Sequence, residues 1–349
     1  MNILVVGNQG YVGPVLIRHL RERFPESAIC GYDTGYFAHC LTGATSSPEV
    51  LLDAQYYGDV RSFPTHFYED FDAIVLLAAI SNDPMGNQFE DVTRDINNLS
   101  CCEIARGAVE AGVERIVFAS SCSMYGAASG VAKTETDGLN PLTAYARSKV
   151  DTETFLEQLD QDVATITSLR FATACGMSDR LRLDLVLNDF VASALVAGKV
   201  TVLSDGSPWR PLISVKDMAR AIEWALIRDP DEGGRYLAVN AGSNRWNYQV
   251  KDLAEAVVAA IPSSVLDINS DAPPDKRSYK VDFSLYERLA PDHQPLATLE
   301  GTIAELVEGV KRIPWLTADF RTSNFMRLNV IKGHLERGTL DSSLLWTGR

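Results

Sequence analysis

The sequence predicts an α/β protein: a doubly wound parallel sheet joined to a smaller, mostly C-terminal lobe. Three observations carry this expectation. A four-residue apolar run, Ile3 to Val6, passes through a glycine-rich turn directly into a helical pattern. Short apolar runs then alternate with amphipathic stretches as far as Phe171, the order that parallel strands joined by crossover helices require. After Gly176 the alternation loosens. With 349 residues, 46% of them apolar, the chain can bury a large core. A formal charge of -14 argues against a nucleic acid or an anionic membrane as partner.

The first turn reads Gly7-Asn8-Gln9-Gly10-Tyr11-Val12-Gly13, and the helix after it repeats through Leu16, Ile17, Leu20 and Phe24. Strand, glycine turn and helix form the setting of a Rossmann-type dinucleotide site. Gly7 permits the tight turn, Gly10 lets the backbone approach a pyrophosphate, and Gly13 lets the helix pack on the strand with its N-terminus toward the anion. Gln9, Tyr11 and Val12 share that turn and are candidate cofactor contacts. A second strand, 28–32, ends at Asp33, 20 residues after Gly13. There a carboxylate would accept hydrogen bonds from ribose hydroxyls, although Asp33-Thr34-Gly35 could also be a plain turn. Thr34, Gly35 and Tyr36 include no arginine to receive a 2′-phosphate, so NAD is expected over NADP.

Further strands are expected at 73–79, 114–119 and 164–171, with helices at 97–111 and 145–159. The second of these strands ends near Ser120, Ser121, Cys122 and Ser123, and the second helix opens on Tyr145 and Lys149. Four-residue spacing puts that phenol and ammonium on one helical face. A neighbouring cation lowers a phenol's pKa from about 10 toward neutrality and makes it usable as a general acid and base. On an isolated helix the spacing would mean nothing; its place after a serine-rich strand end in a dinucleotide fold gives it meaning. In the second half, helices are expected at 215–227, 248–261 and 299–310 and a strand at 235–240, with a moderately amphipathic run at 325–335. The five histidines lack metal-ligand spacing and the six cysteines lack CxxC pairing, so no metal is expected and the thiols should be reduced. An N-terminus without a basic leader, and the absence of any apolar run near the roughly 18 residues of a membrane span, suggest a cytoplasmic protein.

Taken jointly, these residues resemble the extended short-chain dehydrogenase/reductase superfamily and, within it, the NAD-dependent nucleotide-sugar epimerases and dehydratases. The resemblance rests on Gly7, Gly10 and Gly13, Asp33, Gly58-Asp59-Val60, Leu77-Ala78-Ala79, Asn97, the block from Ser120 to Gly126, and Tyr145 with Lys149, and it covers the chain to about Asp282. It implies an NAD-binding domain of 1–176 and 214–240, a substrate-binding lobe of 177–213 and 241–316, and a partly helical tail of 317–349. Ser121, Tyr145 and Lys149 are then the catalytic set. Asp59 and Val60 would contact adenine, and Leu77, Ala78, Ala79, Asn97, Ser120 and Phe171 would flank the cofactor. Ser121, Cys122, Ser123, Thr173, Asn188, Arg210 and Arg277 would meet a nucleotide-diphosphate sugar. Ser81 and Asn82 either line the sugar pocket or cap the loop after the fourth strand.

Two departures bear on the reaction. Dehydratases of this family carry an Asp-Glu pair after the catalytic threonine, because elimination needs an acid at one carbon and a base at the next. Here those positions are Cys122 and Ser123, which disfavours dehydration. The 4-epimerases usually carry Asn where this chain has Thr173. Cys122 could act as an acid or base, as a neighbouring cysteine does in the similar GDP-mannose 3,5-epimerases, but packing is the preferred role. The implied function is epimerisation at C4 through a transient 4-keto-sugar, with NAD(P)H-dependent reduction of an NDP-4-keto-deoxy-sugar as the alternative and an inactive NAD-binding regulator as a third reading. The family also implies a homodimer, pairing the 97–111 and 145–159 helices with Leu99, Ile104, Phe155 and Leu159 in the contact.

Overall fold

A computed structural model of the protein describes residues 1–349 except 43, 45, 128–129, 160–163, 270–271, 273–277 and 349. The strands in chain order are β1 (Ile3–Val6), β2 (Ile29–Asp33), β3 (Ala54–Tyr57), β4 (Ala73–Leu76), β5 (Arg115–Ser121), β6 (Thr165–Phe171), β7 (Thr173–Cys175), β8 (Lys199–Val202), β9 (Trp209–Ser214), β10 (Tyr236–Ala241), β11 (Asn247–Gln249) and β12 (Val265–Ile268). Seven of them form one sheet in the order β10-β6-β5-β4-β1-β2-β3, with every neighbouring pair parallel. The order reverses between β1 and β4, so a crevice opens at the carboxyl ends of these strands. β1, β4 and β6 are buried at every position. Helices cover both faces of the sheet, which is why these strands read as unbroken apolar runs and not as alternating ones.

Several elements differ from the sequence expectation for identifiable reasons. The strand expected over 73–79 ends at Leu76, because the N–H groups of Leu77 and Ala78 both turn onto the Val6 carbonyl, at 2.8 and 2.9 Å. This brings Ala78 under Gly7, whose φ is +91° and whose Cβ, if present, would stand 2.4 Å from the Ala78 nitrogen. The helix expected over 97–111 is a π-helical turn, Asp95–Ser100, continued by an α-helix, Cys101–Glu110. β3 was not expected: Ala54-Gln55-Tyr56-Tyr57 is a half-exposed edge strand without an apolar run. The helix over Val215–Ile227 matches the expectation, and the amphipathic run near the C-terminus is the helix Arg327–Glu336.

Apolar side chains pack on both faces of the large sheet, and a separate cluster joins the helices Val186–Ala197, Val250–Ala260 and Leu299–Lys311 beside β8. A fourth cluster ties Ile331, Leu340 and Leu344, near the C-terminus, to Tyr36, Ile80, Met85 and Ile96. Among the described residues no helix is long and apolar enough to cross a membrane.

One buried ion pair underlies the active face. Arg170, on β6, binds Glu153 through Nη2–Oε2 at 2.7 Å and Nε–Oε2 at 3.0 Å, and both side chains are almost fully enclosed. Ser120 donates to the same carboxylate, and the Arg170 Nη1 donates to the Tyr125 hydroxyl at 3.1 Å. Breaking one side of such a pair strands a charge in a low-dielectric interior. Arg170→Met is therefore expected to lose about 3–5 kcal/mol in urea unfolding, and the double variant Arg170→Met/Glu153→Met to recover part of that loss.

Candidate active site

A cleft of about 1300 Å³ runs along the carboxyl ends of the central strands. It is lined by Gly7, Gly10, Tyr11, Val12, Asp33, Asp59, Val60, Leu77, Ala78 and Ala79 toward one end and by Ser81, Asn82, Ser120, Ser121, Ser123, Tyr145, Lys149, Phe171, Thr173 and Arg210 toward the other. Five of the candidate residues lie behind its walls and support them, as the sequence reading of Gly13 and the preferred role of Cys122 have it. Gln9 spends its amide on the Tyr57 hydroxyl at 3.0 Å. Gly13 is glycine because a Cβ there would lie 1.7 Å from the Asn8 carbonyl oxygen. Asn97, inside the π-helical turn, accepts from the Ile80 N–H at 2.7 Å and donates to the Ile80 carbonyl at 3.1 Å. Asn188 accepts from the Gly176 N–H and donates to the Arg182 carbonyl, both at 2.9 Å. Cys122 is fully buried with its thiol on the Arg170 carbonyl at 3.0 Å, and burial pushes its pKa well up, so it packs and is not poised as an acid or base. Arg277 lies outside the described residues.

The end of the cleft near the glycine turn suits a dinucleotide. The helix Gly13–Arg23 begins at Val12 without a side-chain cap and without an acidic residue in its first turn, which leaves its first N–H groups for an anion. A Cβ on Gly10 would meet nothing closer than the Gly7 carbonyl at 3.5 Å, so the protein itself leaves that space open. Asp33 accepts from the Gly35 N–H at 2.7 Å and the Gln9 N–H at 2.9 Å, which fixes its carboxylate while leaving lone pairs for ribose hydroxyls. Burial pushes its pKa up, and the two backbone donors oppose that shift. Asp59 is held by the Arg61 guanidinium, at 2.6 and 2.9 Å, and by the Arg61 N–H at 2.9 Å.

At the other end, β5 delivers Ser121 and the helix Ala144–Glu157 delivers Tyr145 and Lys149. Thr143 caps that helix by accepting from the Ala146 N–H at 3.2 Å, and its own hydroxyl donates to Asp83 at 2.8 Å. Ser121 donates to Ser123 at 3.0 Å, and its hydroxyl opposes the upward shift of the Tyr145 phenol. Lys149 donates to the Ala119 carbonyl at 2.7 Å, with its ammonium 5.6 Å from the Tyr145 ring centre. The expectation of a phenol drawn toward neutrality by its neighbouring cation is corrected. Burial pushes Tyr145 up to about 12 and Lys149 down to about 8, and the ammonium is spent on a carbonyl, so desolvation outweighs attraction.

Residues without a sequence signal complete the cleft. Arg182 binds Asp184 in a bidentate pair, 2.8 and 3.0 Å, donates to Ser81 at 2.9 Å, and opposes the upward shift of Tyr145. Asn82 does both things that the sequence left open: it lines the cleft, and its carbonyl caps the helix Asp83–Gln88 by accepting from the Met85 N–H at 2.8 Å. Arg321, Met326 and Arg327 reach the same cleft from beyond residue 316.

The profile of the NAD-dependent epimerase/dehydratase family matches residues 3–242. The UDP-glucose 4-epimerase of Lactobacillus helveticus is 26% identical over 246 residues, covering 65% of this chain and 72% of that protein. An NAD-dependent NDP-hexosamine 5,6-dehydratase of tunicamycin biosynthesis superimposes with a TM-score of 0.76 at 21% identity, covering 89% of this chain and 97% of its own. The protein MoeE5, in complex with UDP-glucuronic acid and NAD, superimposes with a TM-score of 0.75 at 23% identity, covering 89% and 99%. The chain belongs to the NAD-dependent epimerase/dehydratase family, and NAD is its cofactor.

Because the Asp33 carboxylate would repel a 2′-phosphate, NAD should bind more tightly than NADP. Asp33→Asn is expected to narrow that preference by weakening NAD more than NADP, as read by parallel calorimetric titrations.

Proposed function

We propose that the protein is a nucleotide-sugar epimerase acting at C4. The observation that carries this reading is the placement of Ser121, Tyr145 and Lys149 in one cleft with the glycine turn and Asp33. The curated relatives named UDP-glucose 4-epimerase support it. In this reading Tyr145, as phenolate, removes the proton of the sugar's C4 hydroxyl and returns it after the ring has turned over. Ser121, in the same cleft as Tyr145, orients that hydroxyl. Lys149 lies deep in the cleft, where it can leave the Ala119 carbonyl for a ribose hydroxyl and lend its charge to the phenolate. Bound NAD supplies a site that accepts a hydride and gives it back, so no net redox change accumulates.

Elimination of water has less support. It calls for a second acid or base beside Ser121, and the next two residues are a buried thiol and a hydroxyl that accepts from Ser121. The same reading extends to a homodimer. Leu99 is 44% exposed and Arg106 stacks over the half-buried Phe155 ring at 5.0 Å, so these helices present an outer face. Ile104 is not part of that face: it is 1% exposed and packs beneath its own sheet.

Purified protein is expected to interconvert UDP-glucose, or another nucleotide sugar, with its C4 epimer without added cofactor. A strict requirement for fresh NAD(P)H in each turnover would favour a keto-sugar reductase instead. Tyr145→Phe should lower turnover by roughly two to four powers of ten while keeping NAD, and Ser121→Ala should cost no more than that. The base must be deprotonated to act, so the rate should rise with pH. Lys149→Met removes the cation that favours phenolate, so it should move that rise to higher pH. Light scattering at micromolar concentration should give the mass of a dimer, and a monomer mass would contradict the pairing.

A further inference from the structure

The segment beyond residue 316 touches the loops past β2, β3 and β4 at the cofactor end of the cleft. Past β2, the Trp346 indole N–H donates to the Thr34 carbonyl at 2.7 Å, and the Tyr36 hydroxyl donates to the Leu344 carbonyl. Past β3, Arg61, which holds Asp59, donates to the carbonyls of Ser343 at 2.6 Å and Leu344 at 3.2 Å. Past β4, Ile80 packs in one apolar cluster with Ile331. The adenosine end is thus enclosed by residues that follow the whole of the sheet.

Within this segment Arg327 is unusual. It is 1% exposed, it lines the cleft, and it donates to two backbone carbonyls, of Asn324 at 3.1 Å and Arg180 at 2.7 Å. Its neighbours Arg180 and Arg182 each have a carboxylate, Glu49 and Asp184, whereas no carboxylate among the described residues forms an ion pair with Arg327. Asp184, paired with Arg182, favours the Arg327 charge from farther off, but an enclosed guanidinium with no carboxylate of its own is stabilised further when an anion joins it. Its position indicates which anion. On one side its guanidinium stacks on Phe37, four residues past Asp33, at 5.1 Å. On the other it grips the Arg180 carbonyl, in a loop seated on the glycine turn by Ser178 donating to the Tyr11 carbonyl at 2.6 Å and Tyr11 donating to the Gly176 carbonyl at 2.6 Å. Arg327 therefore stands between the loop resting on the pyrophosphate turn and the loop following the ribose acceptor.

We propose that the C-terminal segment is part of the cofactor site, with Arg327 giving a charge-assisted hydrogen bond to the diphosphate of NAD while residues 343–346 fasten the adenosine end. The consequence is retention: the cofactor stays on the protein from one turnover to the next. That part rests on the redox-neutral reading given above, since an enzyme that returns its own hydride gains nothing from releasing NAD.

The test needs no sugar. Bound NAD per chain after exhaustive desalting, and the exchange rate of bound for labelled NAD, are measured for the wild type, Arg327→Met, Arg327→Lys and Trp346→Ala. Arg327→Met is expected to weaken NAD binding and speed exchange by about tenfold or more, the worth of one charge-assisted hydrogen bond. Arg327→Lys, which keeps the charge and loses the fork, should fall between. Trp346→Ala, at a 44% exposed position, should speed exchange to a smaller degree. The rise in melting temperature on adding NAD should shrink in Arg327→Met by more than the melting temperature of the cofactor-free protein changes, which a merely structural arginine would not produce. Exchange within twofold of wild type in Arg327→Met overturns the proposal. So does a loss of UDP affinity in the NAD-loaded variant with NAD retention intact, because the anion is then the substrate's. If Arg327→Met does not fold, unchanged exchange in Trp346→Ala overturns it. Failure to epimerise any nucleotide sugar, with Arg327-dependent NAD retention preserved, sinks the functional reading and leaves this one standing.

Discussion

The Val6 carbonyl accepts hydrogen bonds from both Leu77 and Ala78, and the rest of the cleft depends on that shared acceptor. It pulls the chain leaving β4 across the end of β1, a path open only because Gly7 has no side chain. With that crossing fixed, the helix Gly13–Arg23 starts on one side of the reversal in strand order and β5 ends on the other. The walls then follow. Asn97 holds the chain at Ile80 with two hydrogen bonds, and the π-helical turn gives Asn97 the position to do so.

Burial is the second constraint, and it acts on the two titrating groups in opposite directions. Removing water raises the phenol of Tyr145 and lowers the ammonium of Lys149, so both are drawn toward their neutral forms. Behind them, Glu153 also favours a charged Lys149, while Arg170 neutralises that same carboxylate. The cleft is thus a low-dielectric space, where an incoming ion changes the protonation of its neighbours more than it would in water.

What the sequence disclosed about this arrangement was what is local in the chain. The glycine turn, Asp33 after the second strand, the serines at the end of β5 and the Tyr145/Lys149 spacing each occupy a few consecutive residues, and each lies where the cleft is. β3 was missed because its residues, Gln55 and two tyrosines, form an edge that is only half enclosed and has no apolar pattern to betray it. Arg182, Asp184 and Arg327 were missed for a different reason: their place is set by partners such as Ser81, Asn82 and Phe37, more than a hundred residues away in sequence. Asn188, expected at the substrate, shows the converse, and Cys122 takes the packing role preferred for it from the sequence. Residue type and approximate position were suggestive, but backbone groups within their own walls had already claimed both side chains.

The seventh strand of the sheet has a consequence for how the chain reaches its folded form. β10 pairs with β6 over six residues, yet β6 ends at Phe171 and β10 begins at Tyr236. During synthesis β6, buried at all seven positions in the finished protein, leaves the ribosome well before the strand that will cover its flank. For that interval it is an unpaired, apolar sheet edge, the kind of surface on which nascent chains join one another. A cell making this protein quickly must keep that edge apart from its neighbours until Tyr236–Ala241 arrives, so the yield of soluble protein should depend on translation rate and on holding chaperones more than on the stability of the finished fold.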